Sequence, residues 1–228
     1  MEWFLKYFLL FMIYSFVGWC IEIISIFHED KKLVNRGFLL GPYCPIYGFG
    51  GVLLTTLLQK YQNDLITLFV LSVIICALLE YFVSWFLEVV FKLRWWDYSK
   101  RKFNINGRIC LETMIPFGIV GVLFVKVFNP FLLNIINKAS IEALSIIDIV
   151  LLTVIIVDCI ISFNLIIDFK NITKQIKKDS TEDIRKYIKK SVKSDAFLYT
   201  RLINSFPKLQ KIYQKNKHKK GKKKKTNK

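Results

Sequence analysis

The sequence predicts an all-α membrane protein, a polytopic bundle of about five transmembrane helices, with its N-terminus outside and a basic C-terminal helix and tail in the cytoplasm. Three observations support this fold class. Hydrophobic residues make up 54% of the 228-residue chain. They gather in runs of about 20 residues, the length with which a helix crosses the hydrocarbon of a bilayer. Lysine and arginine collect between alternate runs and at the C-terminal end, a pattern typical of cytoplasmic segments.

The apolar runs define a transmembrane part, residues 1–169. Each run contains few charged residues, and a helix satisfies its own backbone amides and carbonyls, as lipid requires. The five predicted helices are 4–27, 38–59, 65–91, 112–136 and 144–168. No cleavage pattern of a secretory signal follows the first run, which is therefore expected to remain as a membrane anchor.

The basic residues also predict the orientation of these helices. The loops 28–37 and 92–111 and the C-terminal tail are rich in Lys and Arg, whereas the links 60–64 and 137–143 contain one Lys each. Five crossings with an outside N-terminus place every rich segment in the cytoplasm. In the alternative, 38–59 is a re-entrant hairpin and only four helices cross, which puts the first basic loop opposite the tail. Five crossings are therefore favoured.

The C-terminal tail carries the whole excess of positive charge. From Lys170 onward there are 21 Lys and Arg against 4 Asp and Glu, which equals the net charge of +17 for the full chain. Residues 170–207 show helical apolar spacing with basic residues between, typical of a cytoplasmic amphipathic segment on membrane lipids, especially anionic ones. Residues 208–228 are Lys-rich and are expected to be disordered. A simpler role of this charge is to fix the topology, and nucleic acid is not an expected partner because no aromatic RNA-binding motif accompanies it.

The sequence gives little support for a metal site, a cofactor or catalytic residues. The five cysteines are widely spaced, mostly within apolar runs, and only two histidines accompany them. This pattern favours neither a disulfide framework nor a zinc site. No nucleophile with a paired base is apparent. We therefore predict no metal and no cofactor, and we favour a non-catalytic protein over an enzyme.

Carboxylates inside the predicted helices need a reason, because a central charge costs about 2.5–3.5 kcal/mol on insertion scales. Glu22 and Glu80 lie well inside their runs and are candidates for a polar cavity. Ser84 and Glu88 follow Glu80 at i+4 and i+8, which places all three on one helix face. Glu88 is close to the helix end and is expected at the interface.

The last predicted helix carries Asp148, Asp158 and Asp168, and their spacing of ten distributes them around its surface. Asp148 and Asp168 are near the helix ends and are expected at the membrane interface. Lys126, in the fourth predicted helix, either extends its amine outward or pairs with Asp158, and the sequence leaves this choice open.

The stretch NRGFLLGPYCPIYGFGG, residues 35–51, interrupts the second apolar run with five glycines and two prolines. Glycine permits the close approach of another backbone or a ligand, and proline removes an amide donor. Irregular backbone at membrane depth requires protein or a water-filled cavity to satisfy it. We therefore expect an irregular, closely packed helix start with an arginine suited to an anionic group beside it. The residues singled out here are Asn35, Arg36, Gly37, Gly41, Pro42, Pro45, Tyr47 and Gly48.

A second unusual segment, RWWDYSKRKFNINGRICLE, occupies residues 94–112. Its aromatic cluster is expected at a membrane boundary. The Asn-x-Asn-Gly-Arg turn that follows is less expected, and it places an arginine at the start of a helix on the same predicted side as Arg36. The residues singled out here are Trp96, Asp97, Tyr98, Asn106, Gly107 and Arg108.

Taken together, these motifs resemble the putative ABC-transporter type IV family of bacterial integral membrane proteins. The resemblance rests on VGWCIE (17–22), the stretch 35–51, Glu80, WWDYS (95–99) and NINGRIC (104–110), and it covers about residues 10–130. It implies a permease. The chain has no G-x-x-x-x-G-K-[ST] phosphate loop, so the ATPase of such a transporter is expected to be a separate subunit. Five helices are few for a translocation path, which implies a homodimer or a partner subunit.

Three functions follow from these observations. The favoured one is a transport component in the cell membrane, with a polar vestibule open to the cytoplasm, a cytoplasmic C-terminus and no ATPase of its own. The second is an integral membrane enzyme or carrier that acts on an anionic lipid headgroup at the inner leaflet. The third is a non-catalytic membrane assembly factor. The candidates for the polar cavity are Glu22, Asn35, Arg36, Tyr47, Glu80, Asp97, Asn106 and Arg108.

Overall fold

The computed structural model describes the backbone of residues 2–31, 37–91 and 94–176. It confirms the all-α class. The helices are α1 (Glu2–Asp30), α2 (Pro45–Leu58), α3 (Leu65–Phe91), α4 (Leu111–Leu123), α5 (Asn129–Ile136) and α6 (Ile141–Ile176). A 3-10 turn (Gln59–Tyr61) follows α2, and a π-helical segment (Phe124–Phe128) joins α4 to α5. A short antiparallel hairpin, β1 (Asn104–Ile105) and β2 (Ile109–Cys110), lies between α3 and α4.

Four helical stretches of the described chain are long and apolar enough to cross a membrane, and they match four of the five predicted windows. They are Glu2–His28, Leu65–Phe91, Leu111–Ile136 and Ile141–Ile167. The second window, 38–59, contains only α2, whose 14 residues extend about 21 Å. A hydrocarbon core of about 30 Å is longer than that helix. The helix begins late because the chain before it is irregular, and Pro45 occupies the first helical turn, where a missing amide costs nothing.

Helices α1 and α2 pack closely and in opposite directions. The ring of Tyr47 lies directly on Gly18, and the ring of Tyr14 lies on Gly51, so a Cβ at either glycine would overlap an aromatic ring. Residue numbers rise along α2 as they fall along α1. Gly48 likewise faces α1, with no room for a side chain. Small residues at such contacts let the backbones of membrane helices approach one another.

The next two helices repeat this reversal. Leu54 and Leu58 of α2 form one buried cluster with Leu68 of α3. Arg108, just before α4, contacts Ser84 near the end of α3, whereas Gly118 of α4 lies against Phe69 near the start of α3. The chain therefore reverses direction at each step from α1 to α4, as five crossings require, although the second pass consists of irregular chain followed by a short helix.

The last helix, α6, runs in the same direction as α1. Leu144, near its start, shares a buried cluster with Leu10 and Tyr14 of α1 and with Ile136 of α5. Further along α6, Asp158 binds the segment that precedes α2. The orientation of this arrangement across the membrane stays a prediction.

The chain divides into two compact units, Met1–Ile21 with Leu39–Ser162, and Glu22–Phe38 with Phe163–Lys228. The first contains all the packing described above. In the second, Ile26 and Ile166 are buried, and the rings of Phe38 and Phe163 meet edge to face with centroids 5.6 Å apart. Helix α6 continues past the predicted end at 168 to Ile176. The Lys-rich tail and the predicted amphipathic segment from 177 onward lie outside the described residues.

Candidate functional site

A tight turn shapes the segment between α3 and α4. Asn106 and Gly107 have φ values of +53° and +67°, and the amide of Arg108 donates to the carbonyl of Ile105 at 3.0 Å. Two successive residues with positive φ are typical of the hairpin turn that favours Asn-Gly. The side-chain oxygen of Asn104 also accepts a hydrogen bond from the amide of Gly107 at 3.0 Å. The Asn-x-Asn-Gly-Arg motif is therefore the turn of the β1–β2 hairpin.

This turn directs Arg108 onto the C-terminal end of α3. Its Nη2 lies 2.8 Å from Glu88 Oε2, and its Nη1 donates to Ser84 Oγ at 3.4 Å. The guanidinium carbon lies 5.6 Å from the ring centroid of Tyr81. The side chain of Arg108 is only 12% exposed, and three side chains of α3 contact it.

A second arginine shares the same carboxylate. Arg94 Nε donates to Glu88 Oε2 at 3.1 Å, and Arg94 Nη1 lies 3.5 Å from Asp97 Oδ1 and donates to the carbonyl of Asn106 at 3.3 Å. Two guanidinium groups thus converge on one carboxylate oxygen, with Asp97 as the second acid. Charge-assisted contacts of this kind are the strongest hydrogen bonds in proteins, and here the four charges compensate.

Hydrogen bonds to the turn itself fix the position of Arg108. Trp96 Nε1 donates to the carbonyl of Arg108 at 2.8 Å, and Asn106 Nδ2 donates to the hydroxyl of Tyr81 at 2.9 Å. The amide of Tyr98 donates to the carbonyl of Gly107 at 2.8 Å. The residues that the sequence singled out in this segment therefore meet in one structure, in which several orient the arginine through the backbone.

Glu80 continues the same face of α3 one turn further into the helix. It is 7% exposed, and Ser84 between it and Glu88 is 3% exposed. The spacing of Glu80, Ser84 and Glu88 thus produces a row of polar side chains on one face of α3. This row leads into the bundle from the Arg108 network, by which we mean Arg108, Arg94, Glu88 and Asp97. We refer to Arg108, Glu80, Ser84 and Glu88 as the α3 polar stripe.

Of the other predicted cavity residues, the structure describes Glu22, Tyr47 and Asp97. Glu22 is exposed and belongs to the second unit. Tyr47 packs on Gly18. Asn35 and Arg36 lie outside the described residues. Asp97 is exposed and contacts Arg94.

Comparison with known proteins adds a family. A family model for the putative ABC-transporter type IV proteins matches residues 9–163, more than half of the chain. The chain belongs to this family. No curated protein and no solved structure matches it. With four span-length helices in its described part, this ABC-transporter type IV family member is a multi-pass membrane protein.

The part that matches the type IV family also contains the glycine-rich segment, which Asp158 of α6 holds. The Asp158 carboxylate accepts hydrogen bonds from the amides of Leu40 at 2.9 Å and Gly41 at 2.6 Å. The hydroxyls of Ser162, at 2.7 Å, and Tyr43 also donate to it. Asp158 is only 7% exposed. A buried acid thus satisfies backbone amides that lipid could not satisfy.

Sequence reasoning did not select Asp158. The irregular helix start was expected to suit an anionic group beside Arg36, whereas the amides of Leu40 and Gly41 already donate to this carboxylate. The open question about Lys126 also has an answer, since Lys126 is exposed while Asp158 binds the glycine-rich segment. A signal was present, because irregular backbone at membrane depth needs an internal acceptor, but sequence spacing cannot choose among three aspartates.

The described residues contain no group of three or more His, Cys, Asp or Glu side chains arranged to hold a metal ion. The chemistry available in the α3 polar stripe is ion pairing and hydrogen bonding. It can bind a polar group or exchange one partner of Arg108 for another.

Proposed function

We propose that the chain is the membrane component of a transporter whose ATPase is a separate subunit, and that the α3 polar stripe lines a vestibule open to the cytoplasm. One observation carries this proposal. Arg108, 12% exposed, contacts Ser84 and Glu88 just beyond the buried Glu80. Ionisable groups placed in series inside a membrane bundle are costly and are typical of a substrate or ion pathway.

The positive-inside rule supports the cytoplasmic side for this vestibule. The segment between α3 and α4 contains Arg94, Arg101 and Arg108, and the tail that follows α6 contains most of the other basic residues. In the proposed topology both lie in the cytoplasm of a cell-membrane protein with its N-terminus outside. The tail would then contact anionic lipids of the inner leaflet.

The charge balance of the network favours a vestibule over a tight anion site. Glu88 compensates Arg94 and Arg108 at once, so neither guanidinium presents its full charge to a lipid headgroup. Two donors on one oxygen form an arrangement that a polar substrate can rearrange by displacing one of them. A homodimer or partner subunit would complete the translocation path, since four span-length helices and the short α2 enclose little space.

The experiment measures ATP hydrolysis and complementation with the tagged full-length chain in its native host. Complexes purified from native membranes should hydrolyse ATP above a mock preparation from cells that lack the tag. The chain should also restore the phenotype of its own deletion strain. Arg108→Ala should lower both readouts at least about tenfold, in line with the loss of a charge-assisted contact of about 1.5–3 kcal/mol, while the membrane abundance of the chain stays normal.

Arg101→Ala is the matched control. Arg101 belongs to the same segment and pairs with Glu112 at 2.7 Å, but both side chains are more than half exposed. Such a pair contributes little, so this variant should behave as wild type. Absence of ATP hydrolysis above the mock preparation would refute the transporter proposal. Normal function of Arg108→Ala would refute the vestibule and favour a role in assembly.

A further inference from the structure

Asp148 is a buried acid without a partner in the part of the chain that the structure describes. It is 5% exposed, and neither carboxyl oxygen has a hydrogen-bond partner or solvent contact. Its position near the start of α6 predicted an interfacial side chain. The structure instead places it among buried residues, so its carboxyl must be satisfied in another way.

The surroundings of Asp148 follow from the geometry of α6. Leu144 precedes it by four residues, so both lie on the same helix face. Leu144 packs in a buried cluster with Leu10 and Tyr14 of α1 and Ile136 of α5. Asp148 therefore belongs to the face of α6 that is turned towards these helices, not to the face turned towards lipid.

A chain of three polar groups, two of them buried, borders this cluster. The Tyr14 hydroxyl donates to Asn129 Oδ1 at 3.0 Å, and Asn129 Nδ2 donates to Gln59 Oε1 at 3.1 Å. Tyr14 is 2% exposed and Asn129 is fully buried. Neutral oxygens of this kind are ligands for hard cations and partners for a protonated carboxyl.

Asp148 and Asp158 are both buried aspartates of α6, but they differ in their hydrogen-bond partners. Asp158 receives four hydrogen-bond donors from the protein, and its charge is satisfied by the fold. Asp148 receives none. An uncompensated carboxylate in a medium of low dielectric constant is strongly unfavourable, and a positive ligand removes that cost.

No charged side chain of the surrounding described elements supplies this positive charge. On α1, Lys6 pairs with Glu2 at 2.7 Å. Lys126, in the π-helical segment, is exposed. Among the side chains that the structure describes, the remaining titratable groups of α1 are Tyr7, Tyr14, Cys20, Glu22 and His28, and those of α6 are Glu142, Asp158 and Cys159.

We propose that Asp148 is the anchor of an intramembrane site for a small cation, either a proton or a monovalent metal ion. This site shares no residue with the Arg108 network. If the chain is a transport component, as proposed above, the cation is a second ligand, and an ion gradient across the membrane can drive its binding at Asp148. When the cation is bound, the carboxyl is neutralised and the packing of α6 on α1 and α5 is stabilised. When it leaves, that packing weakens.

The test uses the full chain in lipid nanodiscs and measures its Tm by intrinsic tryptophan fluorescence. One series varies pH at constant salt, and the other replaces N-methylglucamine chloride by NaCl or KCl at constant ionic strength. If the ligand is a proton, Tm falls as the pH rises and does not respond to the metal ion. If it is a metal ion, Tm rises with its concentration, as mass action requires. Either response should be lost in Asp148→Asn.

Glu142→Gln is the matched control, because Glu142 is an exposed acid on the same helix, and it should retain the wild-type response. Infrared spectroscopy gives a second readout in case Asp148→Asn does not fold. A proton on Asp148 produces the carbonyl band of a carboxylic acid, and Asp148→Glu should shift the frequency of that band. The proposal is overturned if Asp148→Asn keeps the wild-type pH and salt responses. It is also overturned if the folded wild type shows neither response and no band that Asp148→Glu shifts.

Discussion

Asp158→Ala should strongly destabilise the bundle, because it removes an acceptor that four buried or partly buried donors share. The substitution leaves the amides of Leu40 and Gly41 and the hydroxyl of Tyr43 without this carboxylate. Ser162 can turn its hydroxyl to a carbonyl of its own helix. Three donors that lose this acceptor, at about 1–3 kcal/mol each, give a loss between about 3 and about 9 kcal/mol.

The lower part of that range is expected, since water can enter the space that the carboxylate leaves. The lost hydrogen bonds are therefore expected to cost about 3–5 kcal/mol together. For a chain of this size such a loss lowers Tm by about 6–20 °C. Asp158→Asn keeps one acceptor oxygen but turns a donor towards the segment, so it should fall between wild type and Asp158→Ala.

The assay is thermal unfolding of the purified full chain in nanodiscs, followed by tryptophan fluorescence. Thr153→Ala is the control, because Thr153 is an exposed α6 residue whose hydroxyl only bonds to the carbonyl of Ile149 in its own helix. It should stay within about 0.5 kcal/mol of wild type. Tyr43→Phe removes one donor and should cost about 1 kcal/mol. If Asp158→Ala melts together with Thr153→Ala, the carboxylate does not hold the glycine-rich segment.

Three further predictions concern the hairpin, the topology and the link before α3. Gly107→Ala should lower the free energy of unfolding by about 1–2 kcal/mol in the same thermal assay, because the φ of Gly107 is +67°. Gly50→Ala should cost less, because a Cβ at Gly50 makes an ordinary contact. Equal losses in the two variants would argue against strain at the turn. A Gln62→Cys variant in a cysteine-free chain should react with a membrane-impermeant thiol reagent from outside, and reaction only from the cytoplasm would exclude the five-crossing topology. Asp64 accepts hydrogen bonds from the hydroxyl and amide of Thr67, which hold its pKa below the usual value. The contribution of Asp64 to helix stability should therefore be present at neutral pH and lost as the pH falls through the lowered pKa. Thermal scans in acid should show this loss for wild type and not for Asp64→Ala, and parallel pH curves would contradict it.

The long helices could be predicted from sequence because lipid leaves the chain little choice. Helix α3 begins at Leu65 and ends at Phe91, at the predicted residues. The second run shows the limit of this reasoning. Hydropathy predicts a helix over 38–59, but the amides at Leu40 and Gly41 donate to an acid in α6. Average apolarity carries no information about a partner so distant in sequence.

The Arg108 site was partly predictable for a different reason. Asn106 and Gly107 are residues that adopt positive φ readily, so the turn and the arginine after it were visible in the sequence. Glu88 was expected at the membrane interface, and this stays a prediction. Its side chain is partly exposed, and its two arginine partners were not anticipated. Arg94 was not singled out, because its place depends on the carbonyl of Asn106 that the turn presents to it.

The attachment of the glycine-rich segment to Asp158 also constrains the order of biogenesis. Leu40 and its acceptor are 118 residues apart, so the segment leaves the ribosome long before the carboxylate that satisfies its amides. Until α6 is synthesised and inserted, that stretch of backbone must keep water, the insertion machinery or a chaperone as its partner. The first part of the chain therefore completes its fold only when the last helix arrives.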